Sequence, residues 1–157
     1  WHYLLFPLSW VLMLGILGTL LTLFVRLGFH PISRLERWVV HVPFSIYVGW
    51  ISVATIANTT ILLQDWGLEG GPVPAPLWSV LVMVVGTAIA FVVLRTRRDV
   101  AYGSVFVWAF VGIAVKYSAT QLVAYTAALL AAGIAVLVLI ALAGGGSSPA
   151  RLQSNSA

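Results

Sequence analysis

Five apolar runs, near residues 3–25, 38–64, 77–94, 100–116 and 121–143, are separated only by short polar punctuation. A run of about 20 mostly apolar residues is what an α-helix needs to cross the hydrocarbon core of a bilayer. Lipid offers no partner for backbone N–H and C=O groups, so a chain of this kind satisfies them internally, as helices. The runs therefore predict an all-α, polytopic transmembrane helical bundle with five spans. Gly28, His30, Pro31 and Ser33 break the first connection, GLEGGPVPAP makes the second with Pro76 suited to a first helical turn, and Asp99 in the tight turn TRRD is placed to cap the fourth helix. From residue 144 to 157 the string has no periodicity and little apolar content, which predicts a disordered tail. The chain opens inside an apolar run at Trp1, without methionine, which leads us to expect that a further segment precedes it.

Composition excludes whole classes of function. Of 157 residues 61% are hydrophobic and 8% charged, with a mean hydropathy of +1.05, whereas a soluble domain carries about 25% charged residues. The net charge of +4 is spread over loops and forms no continuous patch, so nucleic acid is not expected as a partner. Without cysteine there is no disulfide, thiolate metal site or thiol chemistry. No Asp, Glu, Lys or Arg stands in the middle of a run, which leaves this stretch without the usual means of proton relay or ion coupling. His2, His30 and His41 show no ligand spacing, and neither a metal site nor a catalytic residue is expected.

The bases fall on alternate sides. Arg26, Arg34 and Arg37 lie in the first connection, Arg95, Arg97 and Arg98 in the third and Arg151 in the tail, against Lys116 alone in the fourth. The positive-inside rule then predicts cytoplasmic first and third loops and a cytoplasmic C-terminus, in a prokaryotic plasma membrane on the family resemblance given below. Small residues at four-residue spacing, Ala124, Ala128 and Ala132 beside Ala127, Ala131 and Ala135, and on one face of the first run, Gly15, Gly18 and Thr22, mark expected helix contacts.

Within the second run, Pro43, Tyr47, Trp50, Ala54 and Asn58 fall within about 80° of one another on a helix, with Thr55 at the edge. Of the tryptophans, Trp1, Trp38, Trp66 and Trp78 sit at span ends, where an indole belongs at headgroup level. Trp10, Trp50 and Trp108 lie inside spans and need an acceptor that lipid does not supply. An apolar wall with a few fixed polar groups is how small-molecule pockets are built, and the expected ligand-binding residues are Tyr47, Trp50, Ala54, Thr55 and Asn58. The competing reading is structural, since Asn and Thr also bond across to neighbouring helices.

Trp50, Ala54, Thr55 and Asn58 spell W-x3-A-T-x2-N, which resembles the fifth-helix signature of the tryptophan-rich sensory proteins, the TspO or translocator-protein family. In that family a proline and an aromatic precede the tryptophan by four residues, whereas Pro43 and Phe44 begin seven residues before it here. Trp1 and His2 resemble the end of the family's third helix and residues 3–27 its fourth, so the resemblance covers about residues 1–66. It implies the C-terminal part of a longer protein, with three helices added after the family's last, as in some prokaryotic members. It also implies a sensory or regulatory protein that performs no covalent chemistry, requires no cofactor and binds a hydrophobic small molecule, with porphyrin or haem as the candidate ligand. Much of the family pocket comes from helices that precede this stretch. The alternatives are a small-molecule transporter and a membrane assembly subunit for pigment or lipid synthesis.

Overall fold

The computed structural model describes residues 6–27, 33–66 and 74–144. Five apolar helices organise them: α1 (Phe6–Leu27), α2 (Val42–Asp65), α3 (Ala75–Arg97), α4 (Val100–Lys116) and α5 (Gln121–Gly144). No strand occurs among the described residues. Of the tail expected to be disordered, residues 144–157, Gly144 ends α5 instead, and the rest lies outside the described residues.

Helix α2 is entered through a short α-turn, Arg34–Glu36, and a π-helical turn, Arg37–His41, in which the Val42 N–H donates to the Arg37 carbonyl. The cause stands one residue further on. Pro43 has no N–H and its ring crowds the carbonyl four residues back, and a wider turn relieves that conflict. Counting these two turns, helical backbone thus begins at Arg34, ahead of the apolar run near residues 38–64.

Four helices are long and apolar enough to cross a membrane: Pro7–Arg26, Arg37–Leu62, Ala75–Arg97 and Gln121–Gly144. With 17 residues, α4 is shorter, reaching about 26 Å at 1.5 Å per residue. It is also the central helix, packed against α2, α3 and α5. Tyr102, Phe106 and Phe110 stack along its buried face, with successive ring centroids 5.3 and 6.3 Å apart. Helix α5 meets this column through Val123, Ala127, Ala131, Ile134 and Val138. Between apolar helices in lipid, close van der Waals packing drives association, and small side chains permit it. The Ala127 and Ala131 stripe serves that contact, while Ala128 and Ala132 face outward.

At Gly103 a Cβ would stand 2.8 Å from Leu94 and 2.9 Å from Val138, so glycine is what lets α3, α4 and α5 meet there. Gly15 and Gly18, expected at a helix contact, have nothing within 4 Å. Helix α1 instead buries part of Trp10, Met13, Leu17, Leu20 and Phe24, a seam of three- and four-residue steps on an otherwise exposed helix; Trp10 and Met13 meet Thr59 and Asn58 of α2, and the Phe24 ring lies 6.1 Å from that of Tyr102 in α4. Small residues on one face permit close approach, but the bulky seam is the face that meets the neighbouring helix.

Hydroxyls inside the bundle are satisfied locally. Ser52, Thr55, Thr59, Thr60 and Thr87 each donate to the carbonyl four residues back, at 2.7 to 3.2 Å. Back-bonding of this kind keeps a polar group at membrane depth from being orphaned.

Candidate ligand-binding cleft

The alternation of the helices brings the end of α1, the turns that lead into α2 and the third connection to one end. There the guanidinium of Arg97 donates to the Phe24 and Val25 carbonyls of α1, at 3.2 and 3.4 Å, and lies 5.3 Å over the Phe24 ring. Arg98 reaches the Gly144 carbonyl of α5 at 3.5 Å. Each base therefore meets the C-terminal end of another helix, where unsatisfied carbonyls and the helix dipole favour positive charge. Arg98 has a left-handed backbone, φ 51°, and its N–H closes α3 on Leu94. That reversal delivers Asp99 to the start of α4.

Asp99 joins α4 to α2. One carboxylate oxygen accepts the Tyr102 N–H at 3.0 Å, capping α4, and the other accepts the Ser45 hydroxyl of α2 at 2.5 Å. Two turns deeper, the Tyr102 hydroxyl donates to Ser52 at 3.2 Å. Between these bonds Gly49 lies against Val105, where a Cβ would stand 3.2 Å from the valine side chain. The helices meet closely along Ser45, Gly49 and Ser52, and a cleft lies beside that line.

The cleft, of about 1140 Å³, lies between α2, α4 and the end of α5. Val42, Ile46, Val105 and Leu142 form apolar walls, Trp50 and Trp108 project along them, and Arg37, Trp38, His41, Arg98 and Asp99 stand at one end. Trp50 is 52% exposed and Trp108 73%. Neither indole N–H has an acceptor among the described residues. Trp10, the third in-span tryptophan, is different: its indole donates to Thr59 at 2.8 Å and fastens α1 to α2.

The stripe read on the second run is divided by the tertiary structure. Trp50 lines the cleft. The Asn58 amide is directed at the Met13 sulfur of α1, beside the Trp10 and Thr59 pair. Thr55 is buried, 6% exposed, and its hydroxyl returns to Ile51 at 2.7 Å. Ala54 is half-buried and Tyr47 exposed, neither on the cleft wall. Trp38, expected at headgroup level, also lines the cleft, and Trp108, Arg37 and Arg98 join Trp50 there although no local pattern in the chain links them. An in-span indole without an evident partner was the signal available for Trp108. Among the described residues no group of three or more His, Cys, Asp or Glu is placed to hold a metal ion.

Apolar helices, internally satisfied hydroxyls and arginines gathered at one end define an integral membrane protein, a helical bundle with an aromatic cleft on its side. The chain belongs to the TSPO-like family: the family model described as TSPO-like protein matches residues 1–140. No curated protein and no solved structure matches the chain. The family match runs well past the motif-bearing stretch of residues 1–66, so the three helices expected as an addition lie within the matched length. Those helices carry apolar patterning and small residues in place of a short motif, which is why local reading stopped at α2.

Proposed function

We propose that this protein binds a hydrophobic, planar small molecule of tetrapyrrole type, porphyrin or haem, in the cleft between α2 and α4, and acts as a sensory or regulatory membrane protein without covalent chemistry of its own. The observation that carries this reading is Trp50, the tryptophan of the TspO-like signature, which lines the cleft with an indole N–H that has no acceptor among the described residues. Trp50 and Trp108 supply aromatic faces for a flat ring, and an indole N–H in apolar surroundings seeks an acceptor that a ligand can provide. Of the other signature residues, Asn58 acts through α1 and Thr55 through the α2 backbone, both holding the wall that Trp50 stands on. The base-rich end is proposed to face the cytoplasm.

Porphyrin titration of the purified protein, followed by the Soret band, tests this. Trp50→Leu and Trp108→Leu should each weaken binding roughly twofold to tenfold, an aromatic contact contributing about 0.5–1.5 kcal/mol. Asn58→Ala should leave affinity near that of the parent and lower the melting temperature. Parent-like binding by both tryptophan variants would sink the assignment. Porphyrin movement across proteoliposome membranes would favour a transporter instead.

A further inference from the structure

We propose that the base-rich end of the cleft is a binding site for an anionic phospholipid, its phosphate held by Arg37 and Arg98 and one acyl chain lying along Ile46, Trp50 and Trp108. This goes beyond the ligand reading above and rests on charge and geometry alone.

The charges at this end are unbalanced. Arg37 is exposed on the π turn, and its guanidinium makes no hydrogen bond to another described residue. Arg98 has one long bond, 3.5 Å to Gly144, which leaves further N–H groups of its guanidinium available. The carboxylate lining the same space, Asp99, already accepts from Ser45 and from the Tyr102 N–H. An incoming anion therefore meets the guanidinium groups of Arg37 and Arg98, with Arg97, bonded to the end of α1, beside them, and one carboxylate that is engaged elsewhere. Guanidinium forks suit phosphate oxygens, to which they can donate in pairs.

The position along the membrane selects a lipid over a soluble anion. Trp38, 72% exposed, stands beside Arg37 at the end of the cleft, where an indole sits at headgroup level. From there the walls continue as Val42, Ile46, Val105 and Leu142, apolar and open along the side of the bundle. A chain in the surrounding leaflet can enter sideways while its phosphate stays at the surface. Basic pockets between transmembrane helices recognise acidic headgroups in this way. A choline headgroup carries its own cation to the arginines and gains less.

The test uses the full chain in phosphatidylcholine nanodiscs holding a few mole per cent of phosphatidylglycerol with brominated acyl chains, read by quenching of tryptophan fluorescence. Brominated phosphatidylcholine is the reference. Each arginine should contribute about a fivefold preference for the anionic lipid. Arg37→Gln should lower the preference by that factor, and Arg37→Gln with Arg98→Gln should bring it close to one. Arg95→Gln should change nothing, because Arg95 lies over the Phe91 ring at 5.6 Å, outside the cleft. Arg98 shapes the turn into α4, so Arg37→Gln by itself decides the matter if the double variant misfolds. Equal quenching of the parent by the two lipids overturns the proposal, as does an Arg95→Gln effect equal to that of Arg37→Gln. Glycerol phosphate without acyl chains should not displace the quencher, and displacement by it would show an anion site that does not require a lipid. No porphyrin enters this experiment, so its outcome and that of the ligand titration are independent.

Discussion

Replacing Gly49 by alanine probes the contact on which the cleft depends, because the same substitution elsewhere in the bundle should have the opposite sign. In a helix interior alanine is favoured over glycine by up to about 1 kcal/mol. At Gly49 the added methyl would stand 3.2 Å from both Cβ and Cγ2 of Val105 and 3.3 Å from the Tyr102 carbonyl oxygen. Comfortable carbon–carbon contact begins near 3.5 Å. Two of the three neighbours are a stiff β-carbon and a backbone atom, so the helices themselves must move apart by a few tenths of an ångström. Overpacking of this kind costs about 1–3 kcal/mol, which outweighs the gain in helix propensity. At Gly112, also in α4, nothing lies within 4 Å, and the gain should stand alone. Subtracting one variant from the other cancels propensity and leaves a Gly49 penalty of about 1–3 kcal/mol. Reversible unfolding in mixed detergent micelles, followed by circular dichroism, measures it. Val105→Ala removes the Cγ2 contact and should offset part of the loss in the Gly49→Ala background, with a coupling of at least about 0.5 kcal/mol. Equal stability of Gly49→Ala and Gly112→Ala, or no coupling to Val105, would refute the close approach of α2 and α4. The functional readout follows from geometry: separating these helices strains the Ser45 to Asp99 bond and widens the cleft, so porphyrin affinity should fall in Gly49→Ala and not in Gly112→Ala.

Asp99→Ala removes a helix cap and a charge-assisted bond together, and should destabilise by about 2–4 kcal/mol; Ser45→Ala should cost less in that background than in the parent, and strict additivity in the double-mutant cycle would show that the pair is not coupled. Trp10→Phe deletes the donor to Thr59 and should lower stability by about 0.5–1.5 kcal/mol with porphyrin affinity unchanged; a binding defect without a stability loss would place Trp10 at the ligand. Cysteines introduced at Thr96 and Ser118, both exposed and at opposite ends of α4's two connections, should react with an impermeant thiol reagent from opposite sides of the membrane; labelling of both from one side contradicts the alternation of the helices.

The extent of the helices was legible in the chain because length and polarity bear directly on it. Apolar runs end where water begins, and the observed α4, Val100–Lys116, coincides with the expected fourth span. Asp99 was also readable as a cap, since a short acceptor before an apolar run has few other uses, and the Tyr102 N–H bond is the result. The bases of alternate connections signalled a common end, and Arg97 and Arg98 do meet the ends of α1 and α5 there. The faces of the helices were another matter. In a soluble helix the buried side is the apolar side, but lipid is as apolar as leucine, so a membrane helix carries little contrast around its circumference. Trp50 and Asn58 therefore looked like one stripe, and their shared side of α2 said nothing about what lay opposite. Tertiary packing decided it: α1 took the flank bearing Asn58, α4 closed on Ser45, Gly49 and Ser52, and the interval between them and α5 left Trp50 facing open space beside Trp108. The cleft exists because a glycine and two serines brought two helices together along one line, and a contact between residues some fifty positions apart is not written in the periodicity of either helix.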